Sequence, residues 1–247
     1  MPSFELLAAA TAVFLLAGLV KGVIGLGLPT LSMALLALWM RPVEAAALLI
    51  VPSFVTNVWQ LRPWSALWLS LRQLAGLQVG IVVGTLGGLL VFGVPAGTWS
   101  HALLGVALLA YAAWGLSGKV WHLGPRAARW LGPLAGMLTG VVTALTGVFV
   151  VPAVPYLQAL GLQRDALIQA MGLSFTTATV GLAIGLAGTG GYAMADLPLS
   201  IAMLLPAVLG MTVGRWLRER LPLAVFRRCF FLGLGLLGAY MLGTWRP

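Results

Sequence analysis

Charge is what this chain has least of. Only 8% of its 247 residues are Asp, Glu, Lys or Arg, against about 25% in an average soluble domain. Acids are scarcest, with 5 Asp and Glu beside 14 Lys and Arg. Apolar residues make up 61% and recur in runs of roughly 17 to 25, long enough to cross a hydrocarbon core of about 30 Å. A soluble globular fold is therefore excluded. No polar stretch exceeds about a dozen residues, so no separate soluble domain is expected.

Cysteine and histidine are nearly absent. A single Cys229 rules out an internal disulfide and a Cys-rich metal site, and 2 histidines make no convincing metal set. No P-loop is present, so ATP is not the expected energy source. No cofactor is expected. The basic residue of the N-terminal segment, Lys21, follows its apolar stretch, and no small-x-small site introduces a polar chain. That segment is expected to be the first membrane helix and not a cleaved signal peptide. The net charge of +9 does not point to nucleic acid, because most Lys and Arg flank apolar segments, where they set orientation. The positive excess is a weak pointer to an anionic substrate.

What the chain does have is repetition. Leu16-Ala17-Gly18 with Gly22 returns at the same spacing as Leu134-Ala135-Gly136 with Gly140. Ser53-Phe54-Val55-Thr56-Asn57 later matches Ser174-Phe175-Thr176-Thr177-Ala178, with Glu44-Ala45 and Asp165-Ala166 in between. The expected organisation is a first membrane repeat over 1–118, a cytoplasmic linker over 119–130 and a second repeat over 131–247. Two repeated halves in an apolar chain suggest a secondary transporter with its site at the repeat interface.

Apolar segments fall at about 4–24, 28–40, 44–60, 73–93, 98–117, 131–146, 148–161, 166–187, 196–217 and 223–244. The segments at 28–40 and 148–161 are too short to span alone. They follow the breaks Gly25-Leu26-Gly27-Leu28-Pro29 and Thr143-Ala144-Leu145-Thr146-Gly147. Short, broken segments at matching places in two halves point to a midplane site. The expected class is an all-α polytopic membrane protein with about 8–10 segments, two of them broken.

Basic residues discriminate between segmentations. With the short segments merged into their predecessors, six Lys and Arg fall on one side and seven on the other. With ten elements, Arg62, Arg72, Lys119, Arg126, Arg129, Arg164, Arg215, Arg218, Arg220, Arg227 and Arg228 share one side, leaving Arg41 and Arg246 opposite. Eleven against two is a positive-inside pattern. Five elements per half would make the halves inverted relative to each other.

The candidate substrate site comprises Lys21, Gly25, Gly27, Ser53, Thr56, Asn57, Thr143, Thr146, Gly147, Ser174, Thr176 and Thr177. Backbone amides freed at the breaks suit an anion, and hydroxyl and amide donors can replace its water. The breaks are expected within about 15 Å of each other near mid-depth, with Ser53, Thr56, Asn57, Thr176 and Thr177 facing the space between. Three readings of Lys21 stay open: snorkelling to the interface, charge partner of an anion, or ion pair with a carboxylate. The hydroxyls could equally bond back to their own helix. Gln60, Gln78, Gln158 and Gln169 are further donors. Glu44 and Asp165 read as helix caps, with proton coupling as the alternative. Gly115-Leu116-Ser117-Gly118 has the form of an intramembrane serine protease motif, but its only later histidine, His122, lies in a polar loop. An enzyme is not expected.

The halves resemble the sulfite exporter TauE/SafE family, also called the toluene-sulfonate uptake permease family. That family carries a Gly-x-x-Gly-x-Gly-Gly-Gly run and a following proline in each half. Gly140-Val141-Val142-Thr143-Ala144-Leu145-Thr146-Gly147, with Pro152 beyond, matches it. So does Gly22-Val23-Ile24-Gly25-Leu26-Gly27-Leu28-Pro29, with Ala34 where the proline would fall. The triple glycine is incomplete in both. Pro52-Ser53-Phe54 and Leu173-Ser174-Phe175-Thr176-Thr177 resemble the phrase that follows. The resemblance implies export of sulfite or organosulfur oxyanions without ATP, by a multi-pass protein of the bacterial inner membrane. The expected partners are a small anion and the lipid bilayer, with no nucleic acid. Proton coupling and oligomeric state stay open. The rival reading is a channel-like or partner-anchoring membrane protein.

Overall fold

The computed structural model describes residues 4–94, 98–119, 121–189, 197–220 and 222–245. Val120 of the linker and Arg246 of the charge count lie outside the described residues. Among those described there are eleven helices and no strand. They are α1 (Phe4–Ile24), α2 (Leu28–Leu36), α3 (Pro42–Trp59), α4 (Trp64–Gln73), α5 (Ala75–Phe92), α6 (Thr98–Ser117), α7 (Pro125–Thr146), α8 (Ala153–Ala159), α9 (Arg164–Gly188), α10 (Leu197–Arg218) and α11 (Leu223–Thr244). Seven of them, α1, α3, α5, α6, α9, α10 and α11, are long and apolar enough to cross a membrane. α7 is equally long, at 22 residues, but opens with Arg126 and Arg129.

Both breaks form where the sequence places them, and glycine makes them. α1 ends at Gly25, and Gly27 precedes α2 with a φ of +106°, a backbone state that other residues rarely adopt. Pro29 then opens α2, where a missing N–H costs nothing. α7 ends on Gly147, whose φ is +68° and whose N–H donates to the Thr143 carbonyl at 2.8 Å, the left-handed helix ending that glycine favours. Past each break the helix is shorter than the apolar run: α2 stops at Leu36, and α8 keeps only seven residues. Residues 148–150 carry no helix, because Pro152 and Pro155 limit where one can start.

Glu44 is the cap of α3. Its carboxylate accepts the Arg41 N–H at 3.0 Å and pairs with the Arg41 guanidinium at 2.6 Å, a capping box closed behind Pro42. Asp165 occupies the first turn of α9 without such a bond. α4 is an element the apolar runs do not reveal. It has no buried residue and presents Trp64, Trp68 and Leu69 outward. Serines and Arg72 interrupt its hydropathy, so it reads as a connection, whereas its amphipathic face suits the bilayer surface.

Three long pairings organise the bundle: α1 along α10, α5 along α7, and α6 along α11. The first two seams are glycine-built. A methyl group on Gly18 or Gly22 would strike the Ala207 or Met211 carbonyl, and one on Gly210 or Gly214 the Leu15 or Leu19 carbonyl. Gly80 and Gly84 meet the carbonyls of Pro133 and Met137 in the same way, and Gly136 and Gly140 those of Leu77 and Ile81. Close backbone approach supplies the van der Waals contact that holds helices together in lipid, where no hydrophobic force acts between them. Exchanging α1, α2, α3, α5 and α6 with α7, α8, α9, α10 and α11 maps these pairings onto one another. α1–α10 becomes α7–α5, α3–α10 becomes α9–α5, and α6–α11 and α3–α9 stay as they are.

Candidate functional site

The site is built around Lys21. It stands one turn before the end of α1 and is only 2% exposed. Its Nζ donates to Thr56 Oγ1 at 3.1 Å and to Asn57 Oδ1. Lys21 therefore turns inward onto α3 and does not reach for a headgroup. The only ion pair among the described residues joins Arg41 and Glu44, so neutral oxygens alone hold this ammonium. A buried charge without a counter-ion costs far more than a paired one.

α3 is shaped to meet Lys21. Pro52 lies inside the helix, lacks an N–H, and so frees the carbonyl four residues earlier. That carbonyl, Leu48, accepts the Ser200 hydroxyl of α10 at 2.9 Å, and Ser200 accepts the Val51 N–H at 3.2 Å. Such repair is what a broken ladder needs where water is absent. The Pro52 carbonyl accepts the Thr56 hydroxyl at 2.6 Å, leaving Thr56 lone pairs toward Lys21. One turn on, Gln60 Nε2 donates to the Gly25 carbonyl at 2.9 Å. α3 thus grips both Lys21 and the break behind it.

Buried donors gather around the same three helices. The Ser53 hydroxyl and Asn57 Nδ2 have no hydrogen-bond partner among the described residues, nor do the Thr30 and Ser32 hydroxyls of α2. α2 packs on both α1 and α3. Buried polar groups are nearly always satisfied, and Gln78 Oε1, Thr85 Oγ1 and the Tyr111 hydroxyl, on α5 and α6, are in the same condition. Thr30 and Ser32 are absent from the sequence-based candidates. Their signal was two hydroxyls within a short apolar helix directly after a break, without a repeat counterpart to draw notice.

The second break differs. Thr139 and Thr143 hydroxyls donate to the Ala135 and Thr139 carbonyls at 2.7 and 2.8 Å. Thr146 donates to the Val142 carbonyl at 2.6 Å and accepts the Val148 N–H at 3.2 Å. Ser174 accepts the Gln78 amide at 3.0 Å and donates to Ala170, and Thr176 donates to Gly172 at 2.7 Å. Thr177 is half-buried on α9. A methyl group on Gly147 would lie 2.8 Å from Met33 Cε, so the second break rests against the middle of α2. The first break is the start of that same helix, about 9 Å away along its axis.

Other candidates have plainer roles. Ser117 donates to the Trp114 carbonyl at 2.7 Å and accepts the Lys119 N–H at 3.3 Å, which closes the end of α6. Gln169 Nε2 donates to the Leu61 and Pro63 carbonyls at 2.6 and 2.9 Å, pinning the α3–α4 connection to α9. Gln158 lines a cavity of about 270 Å³ together with Lys119, Arg164, Arg218 and Arg227. That cavity places Lys119 beside three arginines that the merged segmentation would put on the opposite side, as the ten-element count requires.

No curated protein and no solved structure matches the chain. A family profile, that of the sulfite exporter TauE/SafE, matches residues 10–241. It runs from the first turns of α1 to the last turn of α11 and takes in both breaks, Lys21 and its α3 partners. The chain is an integral membrane protein of the sulfite exporter TauE/SafE family, a family of transporters.

Proposed function

We propose that this protein is a secondary transporter that exports a small oxyanion, sulfite or an organosulfur anion, across a bacterial inner membrane by alternating access. One observation carries the reading: Lys21 is buried and held only by neutral oxygens, beside a break in α1–α2. The anion is the missing counter-ion. Lys21 supplies its charge, and Thr56 and Asn57 orient the ammonium. Ser53 and the backbone at Gly25 and Gly27 donate to its oxygens. Thr143, Thr146, Gly147, Ser174, Thr176 and Thr177 form the facing wall, which completes the enclosure when the halves close.

The halves, 1–118 and 131–247, act as inverted repeats joined by a cytoplasmic linker over 119–130. The exchange symmetry of the helix pairings and the gathering of basic residues at one end support this. Each half's first helix packs on the other half's fourth membrane helix along a glycine seam, a surface smooth enough for the halves to rock. Export needs no ATP. An inside-negative potential favours outward movement of an anion by about 2.3 kcal/mol per charge per 100 mV.

The test is counterflow in proteoliposomes. Vesicles loaded with unlabelled sulfite should transiently accumulate labelled sulfite above equilibrium, as a carrier with one alternating site requires. A channel gives equilibration without overshoot, and that result would overturn alternating access. Absence of any sulfite or organosulfonate flux would overturn the substrate class.

A further inference from the structure

We infer that the cavity at the Lys119 end is a second anion site, a basic antechamber that gathers free oxyanions before they reach Lys21. This rests on the transport reading of the Lys21 site. The cavity holds about 270 Å³, and four cations line it: Lys119, Arg164, Arg218 and Arg227. They come from four separate stretches: the connection after α6, the start of α9, the end of α10 and the first turns of α11. No Asp or Glu lines the cavity.

The other arginines at this end mostly have partners. Arg62 and Arg215 lie over the Trp59 ring at 4.8 and 5.5 Å, Arg72 over Trp68 at 5.6 Å, and Arg220 over Trp216 at 3.8 Å. None of the four cavity cations has an ion pair or a ring contact of that kind among the described residues. Orientation in the membrane explains why basic residues share an end. It does not explain why four of them converge on one hollow, where like charges repel. An anion between them turns that repulsion into attraction.

The position of the hollow gives it a task. Its inner wall is Val23, Ile24 and Leu26, the residues of the α1–α2 break, two to five positions beyond Lys21. Met171 and Phe231 of its lining are buried, whereas Lys119, Arg164 and Arg227 are exposed, so the charge lies toward solvent, and Gln158 and Trp114 are the neutral side chains able to hydrogen-bond. Such a site concentrates anions without trapping them, and a basic cleft with apolar walls raises association rates by about tenfold or more. The effect is screened by salt, since the Debye length falls to about 8 Å at physiological ionic strength.

The experiment uses purified full-length protein in phosphatidylcholine nanodiscs and vesicles, with inorganic sulfite as the probe, at low and high ionic strength. Titration calorimetry should resolve a weak sulfite site that fades as salt rises. It should persist in Lys21→Met and vanish in Arg164→Gln/Arg227→Gln. In transport, the double glutamine variant should raise KM about tenfold at low salt and lose the salt dependence. Arg164→Lys/Arg227→Lys should keep both, because the antechamber needs charge and not fork geometry. An unchanged KM and salt profile in the glutamine variant overturns the antechamber. So does a difference that emerges only when phosphatidylglycerol is added, which would make the hollow a lipid-headgroup site. Loss of sulfite flux in wild type with the weak site intact overturns the transport reading and leaves the antechamber standing.

Discussion

The two breaks share a sequence pattern and a backbone device, yet their chemistry is opposite. At the first, α1–α2, an ammonium is buried on neutral oxygens, and the hydroxyls of Thr30, Ser32 and Ser53 are unpartnered. At the second, α7–α8, the hydroxyls of Thr139, Thr143 and Thr146 are consumed by carbonyls of their own helix. The difference traces to single residues. Lys21 stands where the repeat has Thr139, and Asn57 where it has Ala178. Both breaks keep a glycine with positive φ, but only the first keeps a buried lysine. On the proposed transport reading, recognition and movement would be divided, the first break binding the anion and the second forming a wall whose threonine hydroxyls are already bonded.

Lys21→Met tests that division most severely. Loss of a charge-assisted contact is worth about 1.5–3 kcal/mol, roughly ten- to a hundredfold in sulfite affinity. Lys21→Arg should lose less, since guanidinium keeps the charge but alters the shape. Equilibrium binding to purified protein reads both. Unchanged affinity in Lys21→Met would remove Lys21 from the site and leave backbone amides and hydroxyls as the only donors.

Asn57→Leu comes next. It deletes one of the two acceptors that aim Lys21 and an unpartnered Nδ2 donor. Affinity should fall about tenfold, and adding Asn57→Leu to Lys21→Met should lower it little further, because both changes strike one interaction. Full additivity in the double variant would mean that Asn57 and Lys21 act separately.

Gly147→Ala probes the second break as a hinge. The φ of +68° costs a side chain about 1 kcal/mol or more, and Met33 must also yield, since the new methyl would lie 2.8 Å from its Cε. Thermal stability in detergent should drop while sulfite affinity holds within about twofold. A large affinity loss at unchanged stability would give Gly147 a direct share in recognition, beyond closing the wall, and contradict the division.

The sequence already shows much of this frame, for physical reasons. Apolar runs and missing charge mark membrane helices, and glycine before proline marks each break, because few residues can hold those backbone angles. α4 escaped, since an interfacial helix has no continuous apolar run to announce it. The candidate residues divide by what they touch. Lys21 could be singled out as a lysine inside an apolar run, but its direction could not, because snorkelling and inward turning use the same side chain on the same helix. Thr176 and Thr56 look alike in sequence. Only packing shows that Thr56 also faces an ammonium while Thr176 bonds back to Gly172. The basic hollow is the least legible feature. Its four cations lie far apart in the chain and read individually as topology signals.

The smallest expected effect is the sharpest control. Thr139→Val removes the hydroxyl that occupies the position of Lys21 in the second half and keeps nearly the same volume. That hydroxyl is fully buried and bonded to the Ala135 carbonyl of its own helix, and such back-bonds add little or even weaken a helix. The carbonyl keeps its helical N–H partner, so no acceptor is orphaned. Stability should change by no more than about 0.5 kcal/mol, and sulfite affinity by less than about twofold. Thr56→Val, the same chemical change on α3, removes an acceptor of the Lys21 ammonium and should weaken binding severalfold. Equal losses from both would show that the second break also reaches the anion, and the contrast between the two halves would then be one of resting geometry and not of function.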